Sequence, residues 1–331
     1  MSLIERALQR VRGAGAEPPP MRPTADPVAV AATSPASVVV SSQTKEEPAE
    51  PRYRKTIQVD AGGLRAAGLL PPASREHEVA RQYRRIKLPL VERALKKGLD
   101  GTDKARSIFV SSALPGEGKT YSSVNLAFSM SREVDVEVLL IDGDVAKPHV
   151  TRAFSLHGER GLVDALQDDS IDPESLIVGT DIKGLSILPA GAFSEDSATE
   201  LLSSGRMRQV VEQLLAARPK RVILIDSPPL LLTTESRVLA GLAGQIILVV
   251  RAGVTPQHAV FEALDLLGEE SPIGFVLNQS QRSIADKYSD YTGYGSYSSY
   301  GGYGAYGTYG TSSLDGSLPG KPRGRHAEEA R

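Results

Sequence analysis

Ala113-Leu114-Pro115-Gly116-Glu117-Gly118-Lys119-Thr120 lies between an apolar run, Ser107 to Ser112, and a segment, Tyr121 to Met130, whose apolar residues recur at helical spacing. Strand, glycine-rich loop and helix in that order read as a phosphate-binding loop. Gly116 and Gly118 carry no Cβ, so successive backbone N–H groups can wrap a pyrophosphate closely. The helix N-terminus behind them adds partial positive charge. Lys119 is expected to reach the β- and γ-phosphates as a point charge, and the Thr120 hydroxyl to sit on Mg²⁺. The pattern G-x-x-x-x-G-K-[ST] is met except at its first position, where Ala113 requires the turn to accept a Cβ.

Composition narrows the class of protein. The chain has 331 residues and a formal net charge of −2, so no overall field points to nucleic acid or an acidic surface. With no cysteine, disulfides and thiolate chemistry are excluded. The histidines, His77, His149, His157, His258 and His326, lack metal-ligand spacing. Apolar runs such as Ile246 to Val250 fall far short of the ~18 residues of a membrane span, and the N-terminus lacks a signal-peptide core. A cytoplasmic protein is expected.

Outward from the loop, the chain reads in five parts. Residues 1–12 suggest a short amphipathic helix, with Ser2 and Glu5 at capping-box spacing and Leu3, Ile4, Ala7, Leu8 and Val11 on one face. Residues 13–54, rich in Pro, Ala, Ser and Thr, read as a disordered linker. Residues 55–74 bring apolar groups back and are expected to dock on the core. From 75 to 281 strands and helices alternate. Strands are expected at 107–112, 136–142, 185–189, 221–226, 245–251 and 273–278. Helices are expected at 74–97, bent at Pro89, and at 119–132, 199–217, 234–241 and 256–268, the last with Thr255 as N-cap. Near-continuous apolar strands suit a parallel sheet covered on both faces, giving a doubly wound α/β domain. Residues 282–331 form a tail.

Two more apolar strands end in carboxylates, at Asp142-Gly143-Asp144 and at Asp226-Ser227-Pro228-Pro229. Ligands of open parallel sheets bind beyond the carboxyl ends of the strands, so these aspartates should converge near Thr120. Asp226 suits Mg²⁺ binding, through a water. Asp142 or Asp144 could join the metal or accept a proton from a nucleophile. In the tail, Tyr288, Tyr291, Tyr294, Tyr297, Tyr300, Tyr303, Tyr306 and Tyr309 repeat every three residues among glycines and serines. That period suits neither helix nor strand, so the tail reads as an exposed array of phenols.

With these features together, the chain resembles the bacterial tyrosine kinases of capsular and exopolysaccharide biosynthesis, which use a doubly wound, mostly parallel fold of P-loop NTPase type. The loop looks like the family's first nucleotide motif, Asp142-Gly143-Asp144 its second and Ile225-Asp226-Ser227-Pro228-Pro229 its third. Leu188-Pro189-Ala190-Gly191, Glu200-Leu201-Leu202 and Val276-Leu277-Asn278 are also similar. Met1 to Glu5 and Tyr83 to Leu90 resemble an exosortase-associated autokinase subgroup. The resemblance implies nucleotide contacts at Pro115, Gly116, Glu117, Gly118, Lys119, Thr120, Tyr121 and Asn278, with Mg²⁺ on Thr120, Asp144 and Asp226. It makes Lys119, Asp142 and Asp144 catalytic and the eight tail tyrosines phosphoacceptors. Glu78-x-x-Arg81-x-x-Arg84 matches its oligomerisation motif, implying a ring of identical subunits that phosphorylate one another's tails, whereas pairing of Glu78 with Arg81 along one helix face is the plain structural alternative. ATP and Mg²⁺ are the implied cofactors. A membrane polysaccharide co-polymerase would activate the enzyme at the inner face of the membrane, and a tyrosine phosphatase would reverse it. One departure is Ala146, where the family has arginine; Lys147 beside it is not an equivalent of a guanidinium fork.

Two rival readings use the same loop. A partition- or cell-division-type switch ATPase would share the fold but normally carries an extra lysine where Leu114 and Pro115 stand. A scaffolding protein would use the tyrosine tail unmodified.

Overall fold

The computed structural model describes residues 53–96, 103–192, 198–268 and 271–280. The N-terminal helix, nearly all of the linker and the tyrosine array of the sequence reading lie outside them. Eight strands form one sheet in the order β1-β4-β5-β3-β6-β2-β7-β8, where β1 is Lys55–Ile57, β2 Ser107–Ser112, β3 Glu137–Asp142, β4 Val178–Thr180, β5 Leu185–Leu188, β6 Arg221–Asp226, β7 Gln245–Arg251 and β8 Ile273–Asn278. All pairings are parallel except β4 with β5.

The central strands are apolar at every step because both faces are covered. Their period of two divides the residues between two cores. Phe109, Leu139, Ile141, Ile223 and Ile225 face the helices Leu162–Gln167, Gly205–Ala217, Thr234–Leu242 and Gln257–Leu267. Ile108, Val110, Val138, Leu140, Val222 and Leu224 face Glu76–Leu95 and Lys119–Met130. The crossovers from β2 to β3 and from β6 to β7 each skip a strand, so the ends of β2, β3 and β6 lie side by side. Asp142 and Asp226 are register partners across β3 and β6.

Two of the expected helices differ from the sequence reading. The expected 199–217 helix is two, Ala198–Leu202 and Gly205–Ala217. Between them Ser204 turns back on Leu201, its N–H and its hydroxyl both donating to that carbonyl, a local bond that competes with helix continuation. Pro256, not Thr255, caps the helix Gln257–Leu267, because the Thr255 hydroxyl oxygen accepts the Arg251 N–H instead. Helix Glu76–Leu95 runs on through Pro89, whose missing N–H falls on an exposed face. The segment after residue 54 supplies edge strand β1 and a short helix, Ala61–Ala66, that buries Leu64 and is capped by the Asp60 carboxylate on the Gly63 N–H at 2.9 Å.

Helix Glu76–Leu95 is tied to helix Lys119–Met130 by a buried cation. Lys87 Nζ donates to the Ser129 carbonyl at 2.7 Å and pairs with Glu133 at 2.6 Å. One face of the contact is a carbonyl near a helix C-terminus, where positive charge is favoured. Replacing Lys87 with Met keeps the aliphatic stem and removes these bonds, so we expect a loss of about 1–3 kcal/mol, read as a lower urea midpoint. An unchanged midpoint would show that the pair contributes nothing net.

Candidate active site

The loop leaves β2 and enters helix Lys119–Met130 through two glycines in the left-handed region, Gly116 at φ 76° and Gly118 at φ 94°. A Cβ on Gly118 would stand 2.0 Å from Asn278 Nδ2, so the position is closed to side chains. Gly116 has open space around it, as a cradle for a ligand requires. Ala113 is fully buried with ordinary backbone angles, which is how the first position accepts its methyl group.

Below the loop the three strand ends bring their side chains together. Asp226 is fully buried and accepts the Thr120 hydroxyl at 2.8 Å on one oxygen and the Ser123 hydroxyl at 2.8 Å on the other. Burial pushes its carboxyl up to about 6, against the pull of Lys119 and the two hydroxyls. Asp142 accepts both the N–H and the hydroxyl of Thr151 at 2.7 Å on Oδ2, while Oδ1 is buried without a hydrogen-bond partner. Burial first, then the neighbouring Asp226, pushes it up to about 7. Asp144 Oδ2 is 3.8 Å from the Lys119 ammonium, and its Oδ1 accepts the Lys147 N–H at 3.2 Å. The Lys147 side chain itself is exposed, as is Ala146. Gly143 permits the close approach of β3 to β6, since its N–H donates to the Asp226 carbonyl at 2.7 Å.

Lys119, Thr120, Asp142, Asp144 and Asp226 are thus brought together as the sequence reading expected. Glu117 is different, for its carboxylate is buried away from the cradle and accepts the Leu114 N–H at 2.7 Å and the Thr255 hydroxyl. Asn278 donates to the Glu117 carbonyl at 2.9 Å. A cleft of about 1130 Å³ opens over the loop, lined by Gly116, Lys119, Thr120, Tyr121, Asn278 and Glu78 among others. Glu78 also accepts from Arg75 at 3.4 Å, whereas Arg81 and Arg84 are exposed on the same helix. Among the described residues no three His, Cys, Asp or Glu side chains form a ready metal cage. Mg²⁺ commonly completes its shell with substrate phosphates and water, so the donor set of Thr120, Asp144 and Asp226 fits it.

Three partners escaped the sequence reading. Ser123 lies one helical turn beyond Lys119, and Thr151 lies just past Pro148 at a helix start, so spacing could have pointed to both. Thr255 arrives beyond the end of β7 through the fold, and its local pattern marks an N-cap rather than a partner of Glu117.

Comparison with known proteins places this geometry. The AAA domain family profile matches residues 105–260. The chain is 31% identical over 188 residues to tyrosine-protein kinase YwqD of Bacillus subtilis, covering 56% of this chain and 77% of that protein. The chain belongs to the bacterial tyrosine-protein kinase family. Another tyrosine-protein kinase, CpsD of Streptococcus pneumoniae, is 30% identical over 56% of this chain and 81% of its own length. The succinoglycan biosynthesis transport protein ExoP of Rhizobium meliloti is 32% identical over 57% of this chain, which spans only 24% of that longer protein. Among solved structures, the VpsO kinase domain superposes with a TM-score of 0.51 at 28% identity, covering 63% of this chain and all of that domain. The tyrosine-kinase family fits a site in which a P-loop lysine faces carboxylates from two adjacent strands.

Proposed function

We propose that the chain is an ATP- and Mg²⁺-dependent protein-tyrosine kinase that phosphorylates its own C-terminal tyrosines in trans and regulates exopolysaccharide polymerisation or export. The observation that carries this reading is the convergence of Lys119, Thr120, Asp142, Asp144 and Asp226 beneath the loop, in a chain that carries eight regularly spaced tyrosines after its last described strand. When bound, Mg²⁺–ATP supplies the γ-phosphoryl group and part of the charge neutralisation. The chain's residues do the positioning. Gly116 and Gly118 let backbone N–H groups approach phosphate, and the Lys119 ammonium offsets charge that develops during transfer. Thr120, Asp144 and Asp226 would hold the metal. Asp142 takes the proton from the acceptor phenol, for a carboxyl pushed up to about 7 is matched to neutral pH.

Assembly belongs to the same reading. Glu78, Arg81 and Arg84 project from one helix toward a neighbouring subunit, so that each tail is delivered to the next site. Each phosphotyrosine adds about −1.5 to −2 charges, and repulsion between modified tails loosens the ring. Among the described residues no helix is long and apolar enough to cross a membrane. The proposed partner is a membrane polysaccharide co-polymerase that activates the kinase at the inner membrane face, with a tyrosine phosphatase resetting it, a reading supported by the similarity to the transport protein ExoP.

The test is peptide mass spectrometry of the full chain after incubation with ATP and Mg²⁺, with and without a candidate co-polymerase, beside a chain ending at Asp286. Phosphate is expected on Tyr288 to Tyr309 of the full chain and absent from the shortened one. ATP hydrolysis with no modified tyrosine, even with the activator present, would give the switch-ATPase reading its place.

A further inference from the structure

A carboxylate inside a phosphate-binding loop is an electrostatic liability, because it repels the anion that the loop is shaped to hold. Glu117 occupies that position between the two loop glycines and is only 3% exposed. Its side chain is turned away from the cradle by two donors. The Leu114 N–H, within the loop, reaches Oε2 at 2.7 Å. The Thr255 hydroxyl, beyond the end of β7, reaches Oε1. Thr255 is itself fixed, since its Oγ1 accepts the Arg251 N–H at 3.0 Å and its own N–H donates to the Arg251 carbonyl at 3.0 Å. At the end of β8, Asn278 holds the Glu117 backbone carbonyl.

We propose that Thr255 is a positioning residue for the nucleotide site: its hydroxyl holds the Glu117 carboxylate out of the phosphate cradle, so that the loop presents N–H groups and Lys119 rather than a negative charge. The inference rests on the reading of this loop as a nucleoside di- or triphosphate site. Without the Thr255 donor, a buried carboxylate is left with one fewer partner, and the N–H groups of the cradle, in the same loop, are donors it can turn to. Glu117 then competes with phosphate for them. The cost appears in nucleotide affinity, and a neutral side chain at residue 117 relieves it.

The experiment titrates a fluorescent ADP analogue in Mg²⁺ against wild type, Thr255→Val, Thr255→Ser and the double variant Glu117→Gln/Thr255→Val, with thermal unfolding of each protein recorded without nucleotide. Thr255→Val is expected to bind about tenfold more weakly. Thr255→Ser, which keeps the hydroxyl, should stay within about twofold of wild type. The double variant should regain affinity over Thr255→Val, because the repelling charge is gone. A threonine that merely supported the fold would not give that recovery. Equal binding by wild type and Thr255→Val, a double variant no better than Thr255→Val, or a Thr255→Val chain that does not fold would each overturn the proposal. If wild type itself bound no Mg²⁺–ADP, the nucleotide reading and this inference would fall together, an outcome distinct from the others.

Discussion

Lys119→Met is expected to reduce tail phosphorylation by at least about a hundredfold while leaving the fold intact. The lysine side chain is 11% exposed and faces two carboxylates, Asp144 with Oδ2 at 3.8 Å and the buried Asp226. Methionine fills a similar volume, so the loss is one of charge. Two consequences follow in the same direction. The cation that offsets phosphate charge disappears, and so does the chief influence lowering the Asp226 carboxyl, which then rises above its present value of about 6. A protonated Asp226 is a poor metal ligand. Stability should fall modestly, because the buried carboxylates lose their compensating cation and are relieved only as they take up protons. The measurement is the initial rate of phosphotyrosine formation alongside a urea unfolding curve. A rate within about threefold of wild type would remove Lys119 from the chemistry, since even one lost donor at such a site costs more.

Much of this arrangement was legible in the sequence, because its strongest signals are local. Val222 to Ile225 and Ile246 to Val250 announce strands buried on both faces, and all six long strands occur within a residue of their expected ends. Gly116, Gly118, Lys119 and Thr120 announce the loop by spacing alone. Strand ends at Asp142 and Asp226 meet because parallel strands deliver their carboxyl ends to one edge. What was missed depends on contacts between distant parts of the chain. The three-residue strands β1 and β4 have little intrinsic preference and exist through pairing with each other and with β5. Thr255 has the spacing of an N-cap, yet its hydroxyl oxygen accepts the Arg251 N–H and its proton goes to the Glu117 carboxylate, 138 residues away. Thr151 is similar, for its hydroxyl donates to Asp142 and accepts the Ala190 N–H at 2.9 Å, tying the second motif to Leu188-Pro189-Ala190-Gly191. Close backbone contact there also needs Gly161, where a Cβ would lie 2.1 Å from the Pro189 carbonyl oxygen.

Asp142→Asn should make the ligand-free protein more stable at neutral pH and at the same time reduce phosphotransfer by about a hundredfold or more. Asp142 is fully buried, its Oδ1 lacks a partner, and its carboxyl is pushed up to about 7 by burial and by Asp226. In the unfolded chain the same group titrates near 3.8. The folded state therefore retains a proton that the unfolded state releases. The stability held by that protonated form is complete below about pH 4 and is lost as pH rises toward about 7, because ionisation must then occur inside the protein. An asparagine avoids that loss. Its amide oxygen can take both Thr151 donors, and an unpaired amide N–H in place of Oδ1 costs less than an unpaired charge. The two proteins should be close in stability near pH 4.5 and diverge as pH rises, with the variant ahead by on the order of 1–3 kcal/mol at pH 7.5. Urea unfolding in a chelator at both pH values reads this directly, and the phosphotyrosine assay reads the cost. Parallel pH profiles would mean that Asp142 is already ionised in the free protein and cannot hold the proton assigned to it. Divergence with retained activity would leave the carboxylate buried for no catalytic reason and would move the proton-accepting role to Asp144.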